Sequence, residues 1–302
     1  MKYYGIQNEV KAYINRLQDE NNIYVSPSTV KTINDRVEGL KRSGDWSRFS
    51  LGFNDVDGDA YLTRANVNDA VGRCEVLWFT RGMKALNLWN NTVCWPTRSY
   101  QNAGTGSTVF SLGNLGILNG TIVNGASWSI NGIDFDGIDD RVTLPNNSFG
   151  IGNAPTTILA FLKNDTLLNR QVVLSQGDNN SATDAFSLES PSFASNDAVQ
   201  IAFTSSNIAA RSLSWKSILI GNTNIGFRGK DGGTVSSFSL SNNLNKSGGS
   251  CAIGAFGSPA GVAPFDGLIS AVIRINDTPT SQLNSNIHNL YKLTLGNGLG
   301  LP

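Results

Sequence analysis

Two kinds of hydrophobic periodicity divide the chain. Near its start Ile6, Val10, Tyr13, Ile14 and Leu17 recur at three- and four-residue spacing, which predicts an amphipathic helix over 5–20. A second predicted helix opens on Ser26 and Pro27, an N-cap and first-turn pair. It buries Val30, Ile33, Val37 and Leu40 and stops at Gly44. The next stretch is mixed: NDVDGDAYLTRANVND reads as loop, and the apolar run CEVLWF reads as a buried strand. Beyond about Tyr100 the pattern becomes a series of short apolar runs. They are TIVNGASWSI, GIDFDG, RVTLPN, TTILAFLKN, QVVLSQ, AFSLES, VQIAFT, SWKSILIG, NIGFRG, VSSFSLS, SCAIGAFG and LISAVIRIN, each bounded by Gly, Asn, Asp, Ser or Pro. That spacing is the one expected of a sandwich or jelly roll. A helical pattern returns once, in SQLNSNIHNLYKL, where Leu283, Ile287, Leu290 and Tyr291 share a face.

The predicted fold class is therefore mainly β. An antiparallel β-sandwich is expected over 101–302 and a smaller α+β region over 1–100, with QNAGTGST as the entry loop between them. Composition supports this, since the polar character comes from Asn, Ser, Thr and Gly, the residues of turns between short strands. Charge is balanced at 23 basic against 23 acidic residues, so neither nucleic acid nor an anionic membrane is an expected partner. No apolar stretch approaches a membrane span, and MKYYGIQNEVKAYINRL lacks the apolar run of a signal peptide, so synthesis as a soluble chain in the host cytoplasm is expected. Cys74, Cys94 and Cys251 are odd in number and widely spaced, which indicates neither a disulfide framework nor a zinc site.

The segment NGTIVNGASWSINGIDFDGIDDRVTLPN, with its FDGIDD phrase, resembles the opening of laminin G-like domains of the concanavalin A-like lectin type. The segment IGAFGSPAGVAPFDGLISAVIRINDTPTSQLNSNIHNLYKL resembles their close. The middle, LSWKSILIGNTNIGFRGKDGG, departs from that pattern. The resemblance covers roughly 105–295 and implies two packed antiparallel sheets forming a jelly roll. It also implies calcium at loop carboxylates, for which Asp136, Asp139 and Asp140 are the matching residues, although no cofactor is required.

Little in the sequence reads as catalytic. Glycosidases of this fold use paired carboxylates on one strand. The sandwich region holds a single glutamate, Glu189, and the adjacent Asp139 and Asp140 would point to opposite faces of a strand. The lone histidine, His288, cannot build a triad or a multi-histidine metal centre by itself, and no phosphate-binding glycine motif occurs. Asp55, Asp57 and Asp59 imitate the start of an EF-hand loop, but Ala60 stands where glycine is needed and Asn66 where a bidentate glutamate is needed. Trp128, Trp215 and Phe227 are the aromatic candidates for a sugar platform.

These readings lead to a non-enzymatic protein. SPSTVKTINDRV and GRCEVLWFTRGMKALNLW resemble phrases of tailed-bacteriophage structural proteins. The expectation is a virion protein (head decoration, head fibre or tail-associated), displaying a lectin-like sandwich toward cell-surface glycans. Residues 1–100 would dock on other virion proteins and, through helical stripes needing partners, form a dimer or trimer. A bacterial carbohydrate-binding module or adhesin is the alternative, and a polysaccharide-acting enzyme the second.

Overall fold

The computed structural model describes residues 3–19, 23–43, 53–150, 154–166, 171–177, 186–190, 200–202, 214, 216–222, 226–238, 249–256 and 263–302. Among these, α1 (Tyr3–Asp19), α2 (Pro27–Ser43), α3 (Val56–Arg64) and α4 (Ala70–Ala85) come first, and α5 (Ser281–Leu293) follows the last strand. Between them run β1 (Thr92–Pro96), β2 (Thr108–Val109), β3 (Leu112–Gly113), β4 (Gly120–Val123), β5 (Ser127–Trp128), β6 (Ile133–Asp136), β7 (Arg141–Leu144) and β8 (Thr156–Asn164). The later strands are β9 (Gln171–Gln176), β10 (Phe186–Ser190), β11 (Gln200–Ala202), β12 (Lys216–Asn222), β13 (Gly226–Lys230), β14 (Ser236–Phe238), β15 (Cys251–Ile253) and β16 (Asp266–Ile275).

The strands form the expected sandwich. One sheet has the order β14-β13-β12-β8-β16-β1-β3, with β6 also paired to β16 and β5 to β6, and the other has the order β11-β10-β9-β15-β7-β4-β2. Pairing is antiparallel apart from β10 with β11, which is parallel. The first sheet takes in β1, which lies before the boundary drawn near residue 100, so part of the sandwich comes from the region assigned to the N-terminal half.

Alternation along the strands explains why the apolar runs look continuous. Val93 and Trp95 of β1, Ile158, Ala160 and Leu162 of β8, and Ile218 and Ile220 of β12 share one core with Val142, Leu144, Leu174, Cys251 and Ile253 of the second sheet. Their sequence neighbours Cys94, Leu159, Phe161 and Leu219 belong to another core, built with the helices. In β16 a register shift between Ile269 and Ala271 resets the phase, so Ile269 and Val272 face the second sheet while Ala271 and Ile273 face the helices. The central strands of the first sheet are thus buried on both sides, which removes the polar half of the usual strand pattern. Each Leu, Ile or Phe so buried contributes about 1.5–3 kcal/mol relative to exposure.

The run CEVLWF is helix, not strand. It lies in α4, whose N-cap Asp69 accepts a hydrogen bond from the backbone N–H of Gly72 at 2.7 Å. Val76, Leu77, Trp78 and Phe79 are all buried, because α4 is enclosed between the N-terminal helices and the sheet. A helix buried all round loses the 3.6-residue stripe and reads like a buried strand.

Most described residues of the α1 and α2 stripes are covered within the chain. Val10, Tyr13, Leu17, Ile33 and Val37 join the helical core, and Tyr13 stacks on Phe53 at 4.8 Å, which meets Trp78 edge-on at 5.6 Å. The side chains of Ile6 and Leu40 lie outside the described residues. The helical layer is fastened to the sheet by a buried polar joint at Glu75, whose carboxylate pairs with Arg36. Tyr100 Oη and Gln101 Nε2 donate to the same carboxylate at 2.9 and 2.6 Å. On the same face of the sheet α5 lays Tyr291 on Phe161, with ring centroids 3.6 Å apart.

Candidate functional site: an acidic rim wired to a buried lysine

The alternating sequence of β6 sends Ile133 and Phe135 into the core between the sheets and leaves Asp134 and Asp136 exposed on the opposite face. Register with β16 then sets Asp266 directly opposite Asp136. Like charges facing each other across a strand pair are destabilising, so the fold gathers negative charge here at a cost. Asp165, just past β8, adds a further carboxylate: its charge and those of Asp266 and Asp136 reinforce burial in pushing the Asp134 carboxyl above the usual range.

The turn after β6 draws in two more. Gly137 adopts a φ of +75°, and a Cβ there would come within 2.8 Å of the Asp266 Cβ, so glycine is required on both counts. The Gly137 N–H donates to the Phe265 carbonyl at 3.0 Å, and the Ile138 N–H to Asp136 Oδ1 at 2.8 Å. Asp140 folds back beneath the turn, where its Oδ2 accepts from the Asp136 N–H at 3.1 Å. Carboxylate oxygens of Asp136, Asp139 and Asp140 lie within 4.8 Å of one another. Asp139 and Asp140 therefore converge, contrary to the expectation from strand geometry, because they sit in a turn.

Asp140 is 2% exposed, and its Oδ1 is buried with no hydrogen-bond partner. Burial pushes this carboxyl upward; the backbone N–H groups of Asp136 and, more weakly, Ala126 oppose the shift, and the charges of Asp136 and Asp139 add to it. An orphaned buried carboxylate oxygen beside two others fits a hard cation such as Ca²⁺, which takes six to eight oxygen ligands. Asp136, Asp139 and Asp140 would hold it.

Behind the rim runs a chain of hydrogen bonds into the interior. Lys216, 1% exposed, donates from Nζ to Asn164 Oδ1 at 2.9 Å. Asn164 Nδ2 donates to Gln171 Oε1 at 2.8 Å, and Gln171 Nε2 to Thr166 Oγ1 at 3.1 Å. Thr166 Oγ1 donates to Asp266 Oδ2 at 2.6 Å. Every bond points the same way, from ammonium to carboxylate, so the dipoles add along the path.

The other sequence candidates are not brought together. Asp55 caps α3, accepting from the backbone N–H groups of Asp57 and Gly58 at 3.1 and 3.0 Å, and Lys84 Nζ bridges Asp55 and Asp57 at 2.8 and 2.6 Å. Asp59 pairs with Arg16. The EF-hand likeness is thus a helix start with acidic residues in its first turn, and its carboxylates are neutralised by side chains. Trp128 is half-buried in β5, donating from Nε1 to the Gly106 carbonyl at 2.9 Å, and packs against the inter-sheet core. Phe227 is half-buried in β13. Those strands lie five steps apart in one sheet, about 24 Å, so the two rings share no sugar platform. Trp215 lies outside the described residues.

Sequence reasoning missed Asp134, Asp266, Asp165 and Lys216. The alternation of IDFD was the available signal for Asp134; the other three depend on register and burial.

No protein-family model matches the sequence, and no curated protein is similar to it. Solved structures do align with it. Domain 4 of AbnA, a GH43 extracellular arabinanase from Geobacillus stearothermophilus in complex with arabinotriose, is 14% identical with a TM-score of 0.41, over 65% of this chain and 87% of that one. A mutant of Trypanosoma rangeli sialidase displaying trans-sialidase activity is 12% identical with a TM-score of 0.46, over 90% of this chain and 40% of that one. The Ruminococcus gnavus IT-sialidase CBM40 bound to α2,3-sialyllactose is 12% identical with a TM-score of 0.35, over 45% of this chain and 84% of that one. The chain spans 40% or less of the sialidase chains it resembles. These neighbours are sandwich-containing chains of carbohydrate-active proteins, and the likeness is one of fold.

The exclusion of enzymes is corrected here. The neighbours include glycosidases, a sialidase and a GH43 arabinanase domain. The physical premise also fails, because a count of glutamates overlooked Asp134 and Asp136, which stand on one face of one strand with Asp266 opposite.

Proposed function

We propose that this chain is a carbohydrate-binding β-sandwich that holds a divalent cation at Asp136, Asp139 and Asp140 and meets its sugar at that rim. The observation that carries the reading is the buried, unpartnered Oδ1 of Asp140 in the midst of converging carboxylates. A hard cation held by three carboxylates retains open positions, and paired hydroxyls of a sugar are oxygen ligands of the right kind. Ile138, exposed at the tip of the same turn, offers an apolar contact to a pyranose face, and the exposed Asp134 and Asp165 offer acceptors to further hydroxyls.

The experiment is glycan-array binding by the full chain in calcium and in chelator, alongside Asp140→Asn. Binding that requires calcium and is lost in the variant supports the reading. Glycan binding indifferent to both overturns the placement of the site, and the absence of binding to any glycan overturns the class. The virion setting rests on phrases such as SPSTVKTINDRV, and the site described above lends it no support, so the glycan-binding reading is the one carried forward.

A further inference from the structure

Lys216 and Asn164 form the interior end of the hydrogen-bonded chain behind the rim. Both side chains point into the space between the two sheets, on the same face as Ile218 and Leu162 respectively, and they are 1% and 0% exposed. β12 and β8 are direct neighbours, with Lys216 opposite Leu162, so Asn164 lies diagonally across the strand pair, within reach of a lysine. Nζ is in hydrogen-bond contact with the Asn164 carboxamide at 2.9 Å, and Gln171 holds the amide nitrogen of that group at 2.8 Å.

An amine fixed against a carboxamide for the lifetime of the folded state has a very high effective concentration, and exclusion of water removes the competing hydrolysis.

We propose that Lys216 and Asn164 form an intramolecular isopeptide cross-link that staples β12 to β8. The ammonium first gives up one proton to solvent, and the lone pair of the neutral Nζ adds to Cγ of Asn164, with Oδ1 carrying the negative charge of the tetrahedral intermediate. The Nζ–Cγ bond forms, one proton passes from Nζ to Nδ2, and the Cγ–Nδ2 bond breaks to release ammonia. The ammonia takes up a proton in solvent, so the net charge is unchanged, and nothing is oxidised or reduced.

Intact-mass measurement and tryptic mapping of the full chain test this. The denatured protein is expected about 17 Da below its sequence mass, the mass of one ammonia. Trypsin is expected to leave Lys216 uncut and to release a branched peptide joining 164–170 to 212–228, located by its fragment ions. Lys216→Met is expected to return the mass to its sequence value. An unmodified mass with normal cleavage after Lys216 overturns the proposal. So does a loss of the same size that maps to succinimide at the Asn-Gly pairs beginning at Asn119, Asn124, Asn131 or Asn297. The wild-type chain alone decides, so the answer does not depend on how well the variant folds.

Discussion

Replacing Asp140 by asparagine separates the cation reading from a purely structural one, because it has opposite effects with and without the ion. In cation-free buffer the buried carboxylate is a burden: Oδ1 is unpartnered, and Asp136 and Asp139 lie beside it. Asparagine keeps an oxygen for the Asp136 N–H and removes the charge, so the variant is expected to be as stable as the parent or more so, by about 1 kcal/mol. With calcium the order reverses. A ligand present at one hundred times its dissociation constant stabilises the folded state by about 2.7 kcal/mol. For a chain of this length that corresponds to about 5 °C in Tm. The parent is expected to gain this and the variant to lose most of it. Differential scanning calorimetry in calcium and in chelator reads both effects. A variant that keeps the parent's calcium shift would refute the assignment of Asp140 as a ligand, and a parent without any calcium shift would refute the site.

Other outcomes follow from the helical layer and the buried titratable groups. Phe161→Ala removes a ring stacked on Tyr291 and is expected to cost about 3–5 kcal/mol, read as one lowered denaturant midpoint by both far-ultraviolet dichroism and tryptophan fluorescence. Two separated transitions would show that the helices fold apart from the sheets. His288 is buried between Ser217 Oγ at 2.8 Å and the Pro302 carbonyl at 2.9 Å, and burial lowers it from the ordinary 6.5. With the folded value depressed, its contribution to stability is complete above pH 6.5 and declines as pH falls toward the folded value. His288→Gln should flatten that decline in a pH series of unfolding curves; an unchanged series would argue against it. The Cys74 and Cys251 thiols are pushed up to about 12 and about 11 by burial, and Cys94 is raised as well. None should react with a disulfide reagent at pH 8 before unfolding, and prompt labelling of the native protein would contradict the packing.

Much of the sandwich was legible because its turns are written in residues that leave little choice. IDFD alternates and RVTL alternates, and both are strands with one face in the core. The helices α1, α2 and α5 were legible from their stripes, since each has one face against the body. CEVLWF was misread because a segment enclosed on every side has no polar face to set its period, although Asp69 three residues before Gly72 was a capping signal. The rim was half legible. Asp136, Asp139 and Asp140 are close in sequence, but a local pattern does not reveal that Asp140 is buried while its neighbours are exposed. Asp266 reaches Asp136 only through strand register, and Lys216 reads as a solvated lysine until β12 is placed inside the sheet.

The enclosure of the first sheet's central strands on both faces also bears on how this protein can change over generations. In β7 every second residue, Arg141 and Thr143, lies outside the core and can drift in sequence while Val142 and Leu144 stay apolar. In β8 the residues from Thr156 to Leu162 are all buried, with no free position between those that serve one core and those that serve the other. A scan of all substitutions along the two strands should therefore give a two-residue rhythm of tolerance in β7 and an unbroken intolerant block in β8. New binding surfaces can then arise at the rims and turns, while the central strands hold their sequence.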